Sequence, residues 1–367
     1  MPRIPGSRLL LLLLLGLGLL AGARPAIAAA QESLDRAALA SQLRAELHAL
    51  LDAWYPRTVD AEYGGFLSRF DHAWNPEERQ EKMIVTQARH VWTTARAAEF
   101  LPEDDHLLPL AAHGFTYLRD VLWDEEYGGF LWLVARDGTP LPDARTRILK
   151  QAYGNAFGIY ALAAYHEVSG DPEALALAQR AFRWLDEHAH DPVHGGYFQF
   201  LERDGTPLRD GLDGTPPKDQ NSSIHLLEAF TELYRVWPDP VLRTRLAELL
   251  TLIRDVQTVA PGHLTLFSNA DWTPVSFRDS AEAVREANHH LDHVSFGHDV
   301  ETAYLMLEAA EALGLDTDTT LLAGKRMVDH ALRTGWDDDA GGFFDAGYYL
   351  PREPGITIVR HTKNWWA

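Results

Sequence analysis

Residues Asp124–Gly138 read DEEYGGFLWLVARDG: an acid, two glycines, an aromatic, a run that alternates in character, and a closing Asp-Gly. Paired glycines admit backbone that other residues avoid, alternation suits a strand, and Asp-Gly suits a tight turn, so the stretch reads as a small β-ribbon. Three others resemble it: DAEYGGFLSRFD from Asp60, DPVHGGYFQFLERDG from Asp191 and DDDAGGFFDAG from Asp337. Their first glycines, Gly64, Gly128, Gly195 and Gly341, are spaced by 64, 67 and 146 residues, and the last step is close to two repeats. One copy has therefore lost its glycines, and LTLFSNADWTPVSF, Leu264 to Phe277, is read as its worn remnant.

Between ribbons the periodicity becomes helical. QARHVWTTARAAEFL, QAYGNAFGIYALAAYHEVSG, NSSIHLLEAFTELYRVW and GHDVETAYLMLEAAEALG carry apolar residues at threes and fours, and each is followed by a more charged amphipathic helix such as DPEALALAQRAFRWLDEHAH. The repeating unit is ribbon, apolar inner helix, amphipathic outer helix. Helix pairs that must each bury an inner face are best closed as a ring, which predicts an all-α (α/α)6 toroid or barrel with short β-ribbons between helices. Six such units need roughly 390 residues, against about 337 after residue 30. The expectation is a ring whose last hairpin is missing, with apolar faces exposed where it would sit, an arrangement that invites a homodimer.

The first thirty residues stand apart. Arg3 and Arg8 precede an apolar run from Leu9 to Leu20, followed by small residues ending in Ala28-Ala29-Ala30. About twelve apolar residues fall short of a bilayer core of ~30 Å, so residues 1–30 read as a signal peptide and residues 31–367 as the barrel domain, exported to the periplasm or secreted, with no membrane association after cleavage. The chain has no cysteine, which excludes disulfides, thiolate metal sites and cysteine nucleophiles. A net charge of -20 without a basic cluster argues against nucleic acid as a partner.

Candidate chemistry gathers at the heads of the inner helices. His298 and Glu301 are three apart and share one helix face, so Glu301 can orient the imidazole. His225 and Glu228 repeat the spacing on the preceding inner helix, which is read as the equivalent repeat position, and burying two ionisable pairs calls for a functional reason. His-x-x-Glu also resembles part of a metal site, yet GHDVETAY lacks the second histidine four residues on that a helical zinc motif needs, so no metal is expected. Arg89 and Trp92, Tyr153 and Asn155, Asn221, and Trp365 and Trp366 occupy other helix heads. Guanidinium, amide, imidazole and indole together suit a neutral sugar, with partners for its hydroxyls and a platform for its C–H face.

The segments QARHVWTTARAAEF, YGGFLWLVARDG, KQAYGNAFGIYALAAY, NSSIHLLEAFTELY, DWTP, SFGHDVE and TKNWW, in that order from about residue 40 to the last residue, resemble the N-acylglucosamine 2-epimerase family, most closely its cellobiose 2-epimerase branch. The resemblance implies cofactor-free chemistry at C2 of a reducing-end mono- or disaccharide, interconverting glucose-type and mannose-type sugars. One histidine removes the C2 proton and a second returns it on the opposite face through a cis-enediolate. Carried over, His298 is one proton carrier with Glu301 as its orienting carboxylate. Arg89 holds the enediolate oxygen, and His225 assists near O1 or ring opening. Tyr153, Asn221, Trp365 and Trp366 line the pocket. The family's second histidine falls beyond the tryptophan pair, which keeps two alternatives open: one-face aldose-ketose isomerisation of the mannose isomerase kind, and a non-catalytic sugar-binding remnant. A glycoside hydrolase on the same ring would need two carboxylates flanking the scissile bond.

Overall fold

The computed structural model describes residues 35–142 and 147–364, and the chain divides after Arg57 into two compact units. The signal segment expected at 1–30 and the pair Trp365 and Trp366 lie outside the described residues. In the first unit, α1 (Arg36–Trp54) begins where the Asp35 carboxylate accepts the backbone N–H groups of Ala37 and Ala38 at 3.0 and 3.1 Å, an N-cap of the kind that contributes about 1 kcal/mol.

The second unit is built from helices α2 (Ile84–Phe100), α3 (Leu107–Tyr117), α4 (Ala152–Ser169), α5 (Pro172–His188), α6 (Gln220–Val236), α7 (Pro240–Leu252), the short α8 (Glu282–Asn288), α9 (Phe296–Leu313) and α10 (Asp318–Thr334). Helices α2, α4, α6 and α9 pack side by side in that order as an inner layer, and α3, α5, α7 and α10 each pack against the inner helix that precedes them. The periodicity read from the sequence explains the layering. On α5 the buried residues Ala174, Leu177, Ala178, Ala181, Phe182, Trp184 and Leu185 form a single stripe, whereas α4 is buried on nearly every side. Alanines and glycines on α4 let its two inner neighbours approach closely. Asp171-Pro172 and Asp239-Pro240 start outer helices, and Gly170 and Gly314, both with positive φ, end inner ones.

The ribbons tie neighbouring hairpins together. The two residues before α2, Lys82–Met83, pair antiparallel with Leu133–Val134 of the next unit; Leu149–Gln151 pairs with Phe200–Glu202, and Lys218–Asp219 with Phe267–Ser268. In the loops, Gly128 and Gly129 have φ of 70° and 72°, and a Cβ on either would come within 2.7 Å of the Trp184 side chain, so both backbone and space require glycine there.

Beneath each intact glycine loop lies an ion pair that sequence reading did not single out, fully buried under the first three loops. Lys82 meets Asp60 at 2.9 Å, Lys150 meets Asp124 at 3.0 Å, Lys218 meets Asp191 at 2.8 Å and Lys363 meets Asp337 at 2.7 Å. Each ammonium also donates to the carbonyl of the loop's first glycine, Gly64, Gly128, Gly195 or Gly341. The first three lysines have a further acceptor across the unit boundary, the carbonyl of Arg136, Arg203 or Ala270. All three ammonium donors are thereby used, which is what makes a fully buried lysine tolerable.

The worn repeat sits slightly upstream of where the sequence suggested. Thr258–Leu264, with Ala260-Pro261-Gly262 at its tip, replaces the glycine loop, and Leu264–Phe277 contains the ribbon that follows it. Two registers establish this. The fourth residue of an inner helix clamps its own loop, as Gln87 bonds Phe66 and Asn155 bonds Phe130, and the fourth residue of α9, Asp299, accepts the Leu264 N–H at 2.8 Å. The position held by Lys82, Lys150 and Lys218 is Val294 before α9, so the lysine disappeared together with its loop.

At the C-terminal ends of the inner helices a charged network crosses the layer. Arg96 on α2 reaches Glu99 at 2.9 Å, Glu167 on α4 at 2.8 Å and Glu232 on α6; Arg235 then joins Glu232 to Glu308 on α9. Counting from the helix starts, Arg96, Ala164, Glu232 and Glu308 are all thirteenth residues. The small Ala164 is what allows Arg96 to pass over α4.

Candidate active site

The same count orders the opposite end of the inner layer. The sixth residues of α2, α4, α6 and α9 are Arg89, Phe157, His225 and Glu301, and the ninth are Trp92, Tyr160, Glu228 and Tyr304. Contacts show that these are real levels. The Arg89 guanidinium carbon lies 4.4 Å from the Phe157 ring centre, Phe157 and His225 rings are 4.8 Å apart, and Trp92 stacks on Tyr160 at 5.2 Å. Above them, Tyr153 and Asn221 are second residues and His298 is a third residue. Tyr153 meets the His225 ring edge-on at 5.2 Å. Its phenol is pushed up by burial, while Arg89 and Asn221, within hydrogen-bonding reach, pull it down. Residues 64 to 76 positions apart in sequence thus converge because neighbouring inner helices run parallel in register.

The His225 ring is oriented as the spacing predicts, its Nδ1 lying 2.9 Å from Glu228 Oε2. The His298 ring is not. Its Nδ1 is 2.7 Å from the hydroxyl of Ser295, and Glu301 instead has His225, Glu228 and Arg89 as its charged neighbours. The two His-x-x-Glu pairs are therefore not at equivalent positions. They are offset by one helical turn, so that Glu301 is the level-mate of His225. Local spacing could not reveal this, since it depends on where each helix begins.

Burial lowers the His298 imidazole to about 3, with His225 and His293 nearby adding like-charge repulsion, so it is neutral at ordinary pH. Burial raises the Glu301 carboxyl; His225 counters this, Glu228 adds to it and Arg89 counters it again. A neutral imidazole next to the level that carries Arg89 can accept a proton while a guanidinium holds the negative charge left behind.

Asn155, read as a pocket amide, holds the backbone together instead, its side chain accepting the Phe130 N–H at 2.8 Å and donating to the Gln151 carbonyl at 2.9 Å. Phe157 and Ser295 were not foreseen as site residues. Phe157 looked like ordinary core, but Ser295, three residues before His298, had a legible signal in the same spacing rule that paired His298 with Glu301. Among the described residues, no three His, Asp or Glu side chains are grouped so that they could hold a metal ion.

Residues 64–367 match the N-acylglucosamine 2-epimerase (GlcNAc 2-epimerase) family. A cellobiose 2-epimerase of Bacteroides fragilis is 33% identical over 323 residues, spanning 87% of this chain and 76% of the relative. A D-mannose isomerase of Thermobifida fusca is 26% identical over 338 residues, spanning 88% and 76%. Among solved structures, a sugar epimerase from a ruminal bacterium superposes with a TM-score of 0.71 at 27% identity, covering 83% of this chain and 74% of that one. The architecture is the (α/α)6-barrel class expected from the repeat.

Proposed function

The chain belongs to the N-acylglucosamine 2-epimerase family and is a sugar epimerase or isomerase, and from that premise we propose that it interconverts glucose-type and mannose-type reducing-end sugars at the site formed by Arg89, His225, His298 and Glu301. His298 Nε2 takes the C2 proton of the open-chain aldose. The C–H electron pair becomes the C1=C2 bond, and the carbonyl π pair moves onto O1, giving a cis-enediolate. Arg89 holds the oxygen that gains charge, and His225, braced by Glu228, assists near O1 or in ring opening. An acid on the opposite face, the role the family resemblance gives to a second histidine, then protonates C2 with the C1=C2 pair while O1 reforms the carbonyl, which gives the epimer, and His298 passes its proton to solvent. The carrying observation is the half-buried, neutral His298 beside a level that contains Arg89 and His225. Imidazolium is costly in this setting until the enediolate forms, and the two charges then stabilise each other. Tyr153 and Asn221 supply hydroxyl partners, and Trp365 with Trp366 the apolar platform.

The test is loss of the C2 proton from cellobiose and from mannose in deuterated water. Wild type should exchange it, and His298→Asn should slow exchange by about 10²- to 10⁴-fold. Exchange at the wild-type rate in that variant would overturn the assignment. A second reading, aldose-ketose isomerisation, is favoured by the similarity to a D-mannose isomerase; a ketose product instead of the C2 epimer would select it. We also propose that residues 1–30 direct export to the periplasm or medium, to be checked by the N-terminal mass of the exported protein.

A further inference from the structure

We infer that Ser295 is a positioning residue for proton transfer, selecting Nε2 of His298 as the nitrogen that serves the sugar by hydrogen bonding to Nδ1. This rests on His298 being the proton carrier.

Three observations converge. Ser295 is the residue before the first helical residue of α9, with extended φ and ψ of −102° and 97°, the place where serine ordinarily accepts an N–H of the first turn. Its side chain makes no such bond. The hydroxyl turns instead to His298, 2.7 Å from Nδ1, and the residue is buried at 7% exposure. The corresponding residues before α2, α4 and α6 are Met83, Gln151 and Asp219. Only α9 among the four combines a serine there with a histidine three residues on.

Hydroxyl chemistry suits this role better than a carboxylate. A carboxylate at Nδ1 favours imidazolium and would hold a proton on the ring before substrate arrives. A hydroxyl both accepts and donates. While His298 waits as base, Nδ1–H donates to Ser295 Oγ and Nε2 carries the lone pair. Once the C2–H bond breaks and its proton joins Nε2, the same Nδ1–H bond persists. In the reverse direction the imidazolium returns its Nε2 proton to C2, and Nδ1–H stays bonded to Ser295 Oγ throughout. One residue thus serves both directions without a second ionisable group. The depressed basicity of His298 agrees with a neutral partner.

The experiment compares Ser295→Ala, Ser295→Thr and His298→Asn by steady-state kinetics on cellobiose, C2 exchange in deuterated water, and thermal melting. Ser295→Ala should lower kcat by about 10- to 100-fold, leave KM within about twofold, and melt like wild type because no helix-cap bond is lost. Ser295→Thr, which keeps the hydroxyl, should recover most of kcat. Wild-type kcat in Ser295→Ala, with exchange abolished in His298→Asn, overturns this inference alone. Loss of kcat together with a lowered melting temperature and no recovery in Ser295→Thr also overturns it, since that pattern belongs to a structural role. Unimpaired exchange in His298→Asn removes the reading of the site, and the inference with it.

Discussion

Asp299 stands next to His298 and does something different. Its Oδ1 accepts the Leu264 N–H as Asn155 accepts that of Phe130, while Oδ2 is buried with no hydrogen-bond partner among the described residues. Burial holds this carboxyl well above the usual range, opposed only by the Leu264 bond. The folded state therefore keeps a proton that the unfolded chain releases near pH 4. Such a group lends stability fully below that pH, and the contribution is lost as pH rises toward the folded value. Asp299→Asn keeps the accepting oxygen and removes the titration. We expect it to melt like wild type near pH 4 and at higher temperature than wild type at pH 7 to 8; equal melting at both would refute the protonated state. The clamp role of Asp299 was invisible in GHDVE, because it depends on contact with a loop 35 residues upstream.

At the scale of the element, the glycine loop and its lysine act as one piece. Lys218 bonds Asp191 Oδ2, Gly195 O and Ala270 O at 2.8, 2.8 and 2.7 Å, and both side chains are almost fully buried. Replacing Lys218 by methionine strands the carboxylate and two carbonyls, which should cost about 3–5 kcal/mol; denaturant unfolding measures it, and a loss under 1 kcal/mol would show that water replaces the ammonium. The glycine loops and the alternation of inner and outer helices were legible because turn chemistry and periodicity are local. The lysines were not, since a lysine is normally exposed and its partner lies 22 or 27 residues upstream in the cases of Lys82 and Lys218. Ser295 was missed for another reason: a serine before a helix already has an accepted explanation as a cap.

For the whole molecule, the site depends on four inner helices holding a common level, and the network at their far ends serves that purpose. Arg96 is 6% exposed and Glu232 4% exposed. Arg96→Met should lower unfolding free energy by about 3–5 kcal/mol by leaving Glu232 with Arg235 alone. At a temperature where the variant remains folded, KM should rise more than its distance from the sugar would suggest, because a small shift in the stagger of α2 and α6 displaces Arg89 from His225. Unchanged KM at reduced stability would confine the network to stability.

Part of each joint between units is made by main chain. Lys82, Lys150 and Lys218 reach across a boundary to a carbonyl, and the residues before each inner helix pair with the next ribbon as backbone ladders. A carbonyl is the same in every residue, as the change from Arg136 and Arg203 to Ala270 shows. Whole units exchanged between homologous genes at the junction of outer helix and glycine loop would therefore arrive with their clamps intact and find a main-chain acceptor in any neighbour, leaving the helix packing and the ion pairs of Arg96, Arg136 and Arg203 to be matched. Crossovers between a loop and its own inner helix would instead separate Asn155 from Phe130 or Lys218 from Asp191. The chain is thus segmented for recombination at places that its helix boundaries alone do not mark, and libraries of sugar pockets are best cut there.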